Sequence, residues 1–157
     1  METINFEERL TPHFTLGEMI KTSVITADGN IPSPEHISNL KRICSWLELL
    51  RAQWNSIYGG DNDPIIINSG YRSPQVNKAV GGVANSNHLT GCAVDIRVAG
   101  QEQLLRYATL LLDISDEIND VFDELILERN SHGSYWLHFA VRPPLQGNRR
   151  RIKIINK

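Results

Sequence analysis

The sequence predicts an α+β fold in which helices pack on a central antiparallel β-sheet. Three observations carry this. A long amphipathic stretch follows Ser33-Pro34, with Ile37, Leu40, Ile43, Leu47, Leu50, Trp54 and Ile57 at helical spacing. Two strand-like runs, Phe122–Glu128 and Tyr135–Val141, flank a short turn, Asn130–Ser134, that contains Gly133 and reads as a hairpin loop. Helices come first and the hairpin late, the order of an α+β fold.

The elements follow in chain order. Thr15-x-x-Glu18 is a capping box that opens a short helix. Ser33 supplies an N-cap hydroxyl and Pro34 a preset first helical position, and Gly59-Gly60 ends that helix. Cys44 lies beside its apolar stripe and is read as core. Ile65-Ile66-Ile67 is a β-branched run expected to form a buried strand. Ser73-Pro74 starts a further helix, closed by Gly81-Gly82. Residues 83–90 form a polar loop, and Ala93–Val98 reads as a strand. Gln101 to about Ile114 is helical, with Leu104, Leu105, Ala108, Leu111 and Leu112 on one face. Arg151–Ile155 is read as a last edge strand.

The 157 residues suit one domain, and neither a repeat nor a low-complexity linker interrupts them. We expect a single domain over 1–157, with a core at about 14–142 and a basic tail or edge strand at 143–157. A hydrophobic content of 41% and a charged content of 22% are ordinary for a soluble protein. The net charge of −2 excludes the global basic field of a nucleic-acid binder. Basic residues do cluster late: Arg142, Arg149, Arg150, Arg151, Lys153 and Lys157. Gatekeeper charges on a solvated edge strand explain them more simply than attraction to an anionic polymer. Cys44 and Cys92 make no disulfide framework. No segment has the apolar length to span a membrane. Met1–Arg9 is polar and acidic, unlike a secretory signal, so synthesis in the cytoplasm is expected, and a monomer.

Chemistry concentrates in three segments: Ser69-Gly70-Tyr71-Arg72-Ser73, Ser86-Asn87-His88-Leu89-Thr90-Gly91-Cys92-Ala93-Val94-Asp95, and Tyr135-Trp136-Leu137-His138. His88 precedes a strand, Asp95 lies on it, and His138 lies on a neighbouring one. Two imidazoles and a carboxylate from separate segments make a three-ligand zinc site with an open fourth position, the pattern of catalytic zinc. Strand alternation puts Ala93 and Asp95 on one face and Cys92 and Val94 on the other, so Cys92 faces the core. The same parity sets Trp136 beside His138 and turns Leu137 and Phe139 into the hydrophobic layer. By spacing alone, a structural histidine is the commoner reading of His88.

Taken together, the motifs resemble the zinc D-Ala-D-Ala carboxypeptidases and related cell-wall peptidases, the LAS-type metallopeptidases. Their Ser-x-His-x-x-Gly-x-Ala-x-Asp signature is matched at every fixed position of residues 86–95. Their upstream Ser-Gly-Tyr-Arg-Ser is matched at residues 69–73, and their later Trp-x-His at 136–138. Phe14-Thr15-Leu16-Gly17-Glu18 and the Asn39-Leu40 helix look like the N-terminal part of a branch found in phages and bacteria. The resemblance runs from about residue 14 to residue 142. It implies a LAS-type fold bearing one zinc ion held by His88, Asp95 and His138. It also implies that Arg72 binds and polarises the substrate carbonyl or holds its carboxylate, which its planar fork suits. Ser86 is read as a substrate contact or a loop-turn residue, and Trp136 as part of the substrate face.

One departure matters. Many members carry Asp or Glu three residues before the last histidine as general base; here that position is Tyr135. Glu128, on the strand pairing with the Trp136–His138 strand, is the first substitute. Glu124 shares its parity and is the second, and His132 in the hairpin loop is the third. The implied reaction is zinc-dependent hydrolysis of peptide bonds in peptidoglycan stem peptides, by a D-Ala-D-Ala carboxypeptidase or an endolysin-type endopeptidase acting on the wall after phage-mediated release. The rival is a catalytically weak, zinc-containing wall-binding or phage structural module. Nucleic acid and membrane insertion are not expected.

Overall fold

The computed structural model describes residues 3–157; Met1 and Glu2, the start of the polar N-terminal stretch, lie outside the described residues. The chain runs through β1 (Arg9–Thr11), β2 (Phe14–Thr15), α1 (Leu16–Ile20), α2 (Pro34–Ile57), β3 (Ile67–Ser69), α3 (Pro74–Ala79), β4 (Ala93–Arg97), α4 (Gln101–Ile118), β5 (Glu124–Arg129), β6 (Tyr135–Ala140) and β7 (Arg151–Asn156). Short 3-10 turns occupy Asn87–Thr90 and Pro144–Gln146. The α+β class is as the sequence predicts. Thr15 and Glu18 form the expected reciprocal capping box on α1. Ser33 caps α2 in the same way, with His36 as the returning partner. The small β1–β2 pair was not legible, because its strands are three and two residues long.

The main sheet has the order β3-β4-β6-β5-β7. Its first three pairings are antiparallel, but β7 runs parallel to β5, so the sheet is mixed rather than wholly antiparallel as expected. The physical reason lies in residues 141–150. The chain leaves β6 at Ala140, which faces Glu124 at the start of β5, and re-enters beside Glu124 at Arg151. Passing across the end of β5 forces the new strand to run in the same direction as β5.

The two sheet faces have different work. Val94, Ile96, Leu125, Leu137 and Phe139 point to one side, all fully buried. They meet the apolar stripes of α2 and α4 in one cluster, where Trp46 packs on Phe139 with ring centroids 5.4 Å apart. Cys44 and Cys92 are buried, free thiols. The other face carries Asp95, His138, Glu124 and Glu128, the polar residues of the same strands. Among the described residues no helix is long and apolar enough to cross a membrane.

Asp123, just before β5, anchors the crossing segment. Its carboxylate is fully buried and takes a two-pronged grip from Arg149, Nε at 3.0 Å and Nη2 at 2.8 Å. Arg142 Nε lies 3.3 Å away, and Asn87 Nδ2 donates at 2.8 Å. Burial pushes the carboxyl up, but the bonds from Arg149 and Asn87, with the Arg142 charge, prevail and hold it at about 2. Two of the late basic residues are thus structural partners rather than a free cationic patch. Because the folded value lies below the ordinary one, this clamp stabilises fully above about pH 4 and is lost as pH falls through about 2. Asp123→Asn should therefore cost about 3 kcal/mol at neutral pH in urea denaturation and flatten the loss of stability between pH 4 and 2. A cost below about 1 kcal/mol would show that the clamp contributes little.

Candidate metal centre

The Ser69–Ser73 segment is a scaffold in which every residue has a mechanical task. Ser69 Oγ accepts from Arg72 Nε at 3.1 Å. Gly70 packs so closely that a Cβ there would lie 2.2 Å from the Met19 carbonyl oxygen, which restricts the position to glycine. Its own carbonyl faces His88 Nδ1 at 2.7 Å. Tyr71 is buried, stacks on His36 at 4.8 Å, and donates its amide to Met19. Arg72 donates its amide to the His88 carbonyl at 3.0 Å, and Ser73 caps α3.

The 86–95 signature has an equally local explanation. Ser86 Oγ accepts the His88 amide and caps the 3-10 turn that carries His88. Gly91 ends that turn in the left-handed region, φ 72°, and an added Cβ would meet the His36 carbonyl at 2.6 Å. Ala93 enters β4 opposite Ala140, and Asp95 stands directly opposite His138. Thus the turn, β4 and β6 deliver three side chains to one point.

His88, Asp95 and His138 each offer a ligand atom within 4.8 Å of the others, a group that can hold a metal ion. Asp95 Oδ1 lies 3.3 Å from His88 Nε2 and 3.1 Å from His138 Nδ1. The remaining polar atoms of the trio are also engaged. Gly70 O holds His88 Nδ1, Arg72 Nη2 donates to Asp95 Oδ2 at 3.0 Å, and Glu124 Oε1 faces His138 Nε2 at 3.2 Å. An imidazole fixed by its far nitrogen presents the near one as a directed donor, the arrangement that orients metal ligands. Burial works against charge on Asp95, yet the two imidazoles outweigh it and hold the carboxyl far below its ordinary range. Burial likewise opposes the His138 cation, but hydrogen bonds to Asp95 and Glu124 push its pKa up to about 9. The hydrogen bond to His138 outweighs burial at Glu124, whose carboxyl is lowered.

The other sequence-derived candidates fall in different places. Arg72 directs its fork at Asp95, Ser69 and Asn77. Ser86 shapes the histidine turn. Trp136 shares the face of His138, as parity requires, and donates its indole N–H to Glu128. Glu128, the first choice for general base, is buried and makes no hydrogen bond to the three-residue cluster. Its partners are Trp136 and Lys157 Nζ at 3.1 Å. The carboxylate that touches the cluster is Glu124, the second choice, and it does so on the outer nitrogen of His138. His132 is exposed in the hairpin turn, and Tyr135 packs against the core. Sequence reasoning missed Asn87, whose Nδ2 bridges Asp123 and Glu124 while its Oδ1 accepts from Arg142. It sits at a variable place inside the signature, so only the fold reveals its task.

The comparison with protein families agrees with this geometry over most of the chain. A family model described as Peptidase M15 matches residues 12–116. No curated protein matches. The matched span holds the Arg72 scaffold, His88 and Asp95; His138 lies beyond it and is joined to them by the β4–β6 register. Since the match takes in well over half of the sequence and the trio is assembled around it, the chain belongs to the peptidase M15 family.

Proposed function

We propose that the protein is a zinc metallopeptidase that hydrolyses peptide bonds in the stem peptides of peptidoglycan. One observation carries the reading: His88 Nε2, Asp95 Oδ1 and His138 Nδ1 converge in a peptidase-family chain, each backed by a partner on its far side. Two imidazoles and a carboxylate suit zinc and leave a coordination position for substrate chemistry. When bound, zinc supplies electrophilic polarisation of the scissile carbonyl and makes water a better nucleophile near neutral pH.

The chain's own residues divide the remaining work. Glu124 is bonded to His138 Nε2, across the ring from the Nδ1 that faces Asp95, so it orients the imidazole. That leaves Glu128 as the general base, taking the proton of the attacking water and returning it to the leaving amine. Trp136 and Lys157 hold its carboxylate in position. Arg72 commits one Nη2 proton to Asp95 and keeps further N–H groups for the carbonyl oxygen of the substrate. Ser86 and Trp136 line the approach of the peptide. The protein acts on the wall as a D-Ala-D-Ala carboxypeptidase or an endolysin-type endopeptidase, released from the cytoplasm with phage help. The second reading, a catalytically weak wall-binding or phage structural module, draws on Tyr135 standing where many relatives carry an acid.

These assignments separate in experiment. Metal analysis should find one zinc per chain in wild type and almost none in His88→Ala; equal, near-zero contents would remove the metal from the account. Glu124→Gln should weaken zinc binding about 10–100-fold in a chelator competition. Glu128→Gln should bind zinc normally and lose about two to four orders of magnitude in turnover of purified peptidoglycan, read by mass spectrometry of the released muropeptides. If Glu124→Gln instead keeps its zinc and loses the rate, the two carboxylates exchange roles. Absence of turnover by zinc-loaded wild type would favour the binding module.

A further inference from the structure

Arg97 is the last residue of β4, two positions beyond Asp95 and on the same face. It stands opposite Trp136, as Asp95 stands opposite His138. Two residues of strand place it about 7 Å from Asp95 along the sheet. Unlike Arg72, it is exposed, and its one side-chain hydrogen bond among the described residues runs from Nε to Asn68 Oδ1 at 3.2 Å. Both terminal guanidinium nitrogens are therefore free to donate, and no carboxylate among the described residues forms an ion pair with them. A cavity of about 600 Å³ opens beside it, walled by Asn68, Gly100, Gln101, Ser134 and Tyr135. Among the described residues no acidic side chain lines this cavity, and Arg97 is its single formal charge.

Resting on the peptidase reading above, we propose that Arg97 anchors a carboxylate of the peptide substrate, and that the adjoining cavity receives the part of the peptide bearing it. A planar fork with both ends free is the side chain best suited to grip a carboxylate with two parallel hydrogen bonds. The spacing sets the substrate class. An extended peptide advances about 3.5 Å per residue, so the anchored carboxylate lies within about two residues of the bond held at the metal centre. Such a carboxylate is either the free C-terminus of the peptide or a free carboxyl carried on an internal residue. Trp136 stands beside Arg97 on the neighbouring strand, on the face shared with His138.

The test uses zinc-loaded wild type and Arg97→Gln with two matched pairs of peptides. One pair ends in D-alanyl-D-alanine as the free acid or the C-terminal amide. The other holds a γ-linked D-glutamate with its α-carboxyl free or amidated. Equilibrium binding is measured by titration, and kcat and KM are measured where turnover occurs. Wild type should bind the acid of one pair about 10–100-fold tighter than its amide, and the pair showing it identifies the source of the carboxylate. Arg97→Gln should reduce that preference below about twofold, leave amide binding unchanged and raise KM with little change in kcat. Arg97→Lys should recover part of it. The proposal is overturned if wild type prefers neither acid, if Arg97→Gln keeps the preference, or if it weakens acid and amide equally. Binding that behaves as expected without turnover would instead overturn the peptidase reading and leave the anchor standing.

Discussion

The Asp95 carboxylate is the constraint around which the site is organised. It is buried, and a buried carboxylate is tolerated only when both oxygens are paired. One oxygen meets His88 and His138; the other meets Arg72. These contacts tie together the Ser69–Ser73 segment, the 3-10 turn and β4 with the distant strand β6. Arg72 in turn needs Ser69 and Asn77, and Asn77 belongs to α3. The charge of one side chain thereby specifies how the loops on the polar face of the sheet must sit.

A second layer joins this site to the end of the chain. His138 leans on Glu124, Glu124 on Asn87, and Asn87 on Asp123, which Arg149 and Arg142 neutralise. Asn87 is the neighbour of His88, so the same relay holds both imidazoles, one through the backbone and one through a carboxylate. The parallel strand β7 is a consequence of the same anchor: Arg149 grips Asp123, and Arg151 then takes up register beside Glu124. Hydrogen bonds to Asp95 and Glu124 favour the protonated form of His138. A divalent cation held by the trio would take the place of that proton, as expected when metal binding is coupled to ligand ionisation.

Much of this was legible in the sequence because it depends on local chemistry. Caps at Thr15 and Ser33, the alternation of β4 and β6, and the turn glycines announce themselves within a few residues. The trio that can hold a metal was legible through motif resemblance, and parity placed Trp136 beside His138. What stayed hidden depends on contacts between distant segments. The direction of β7 is decided by Asp123 and the basic pair after β6, and neither carries a directional signal in its neighbours. The tasks of Asn87 and of the Gly70 carbonyl follow from which loops the fold brings against which. The late basic cluster also had to be divided by structure into residues serving a buried acid and residues left at the surface.

Glu124 and Glu128 show why parity is not enough to assign a role. Both lie on β5, on the polar face, and flank Ile126, which stands opposite His138. Sequence pattern treats them as equivalents separated by two strand repeats. Their environments are opposite. Glu124 sits at the end of β5 where Asn87 and Arg151 gather, and its carboxylate settles on the outer nitrogen of His138. Glu128 sits at the other end, where the Trp136 indole and the Lys157 ammonium are its partners. A group that fixes a metal ligand must stay bound to it throughout the reaction, whereas a base must exchange a proton with water. On the proposed peptidase reading, the carboxylate committed to His138 suits the first task, and the one held by an indole and an ammonium suits the second.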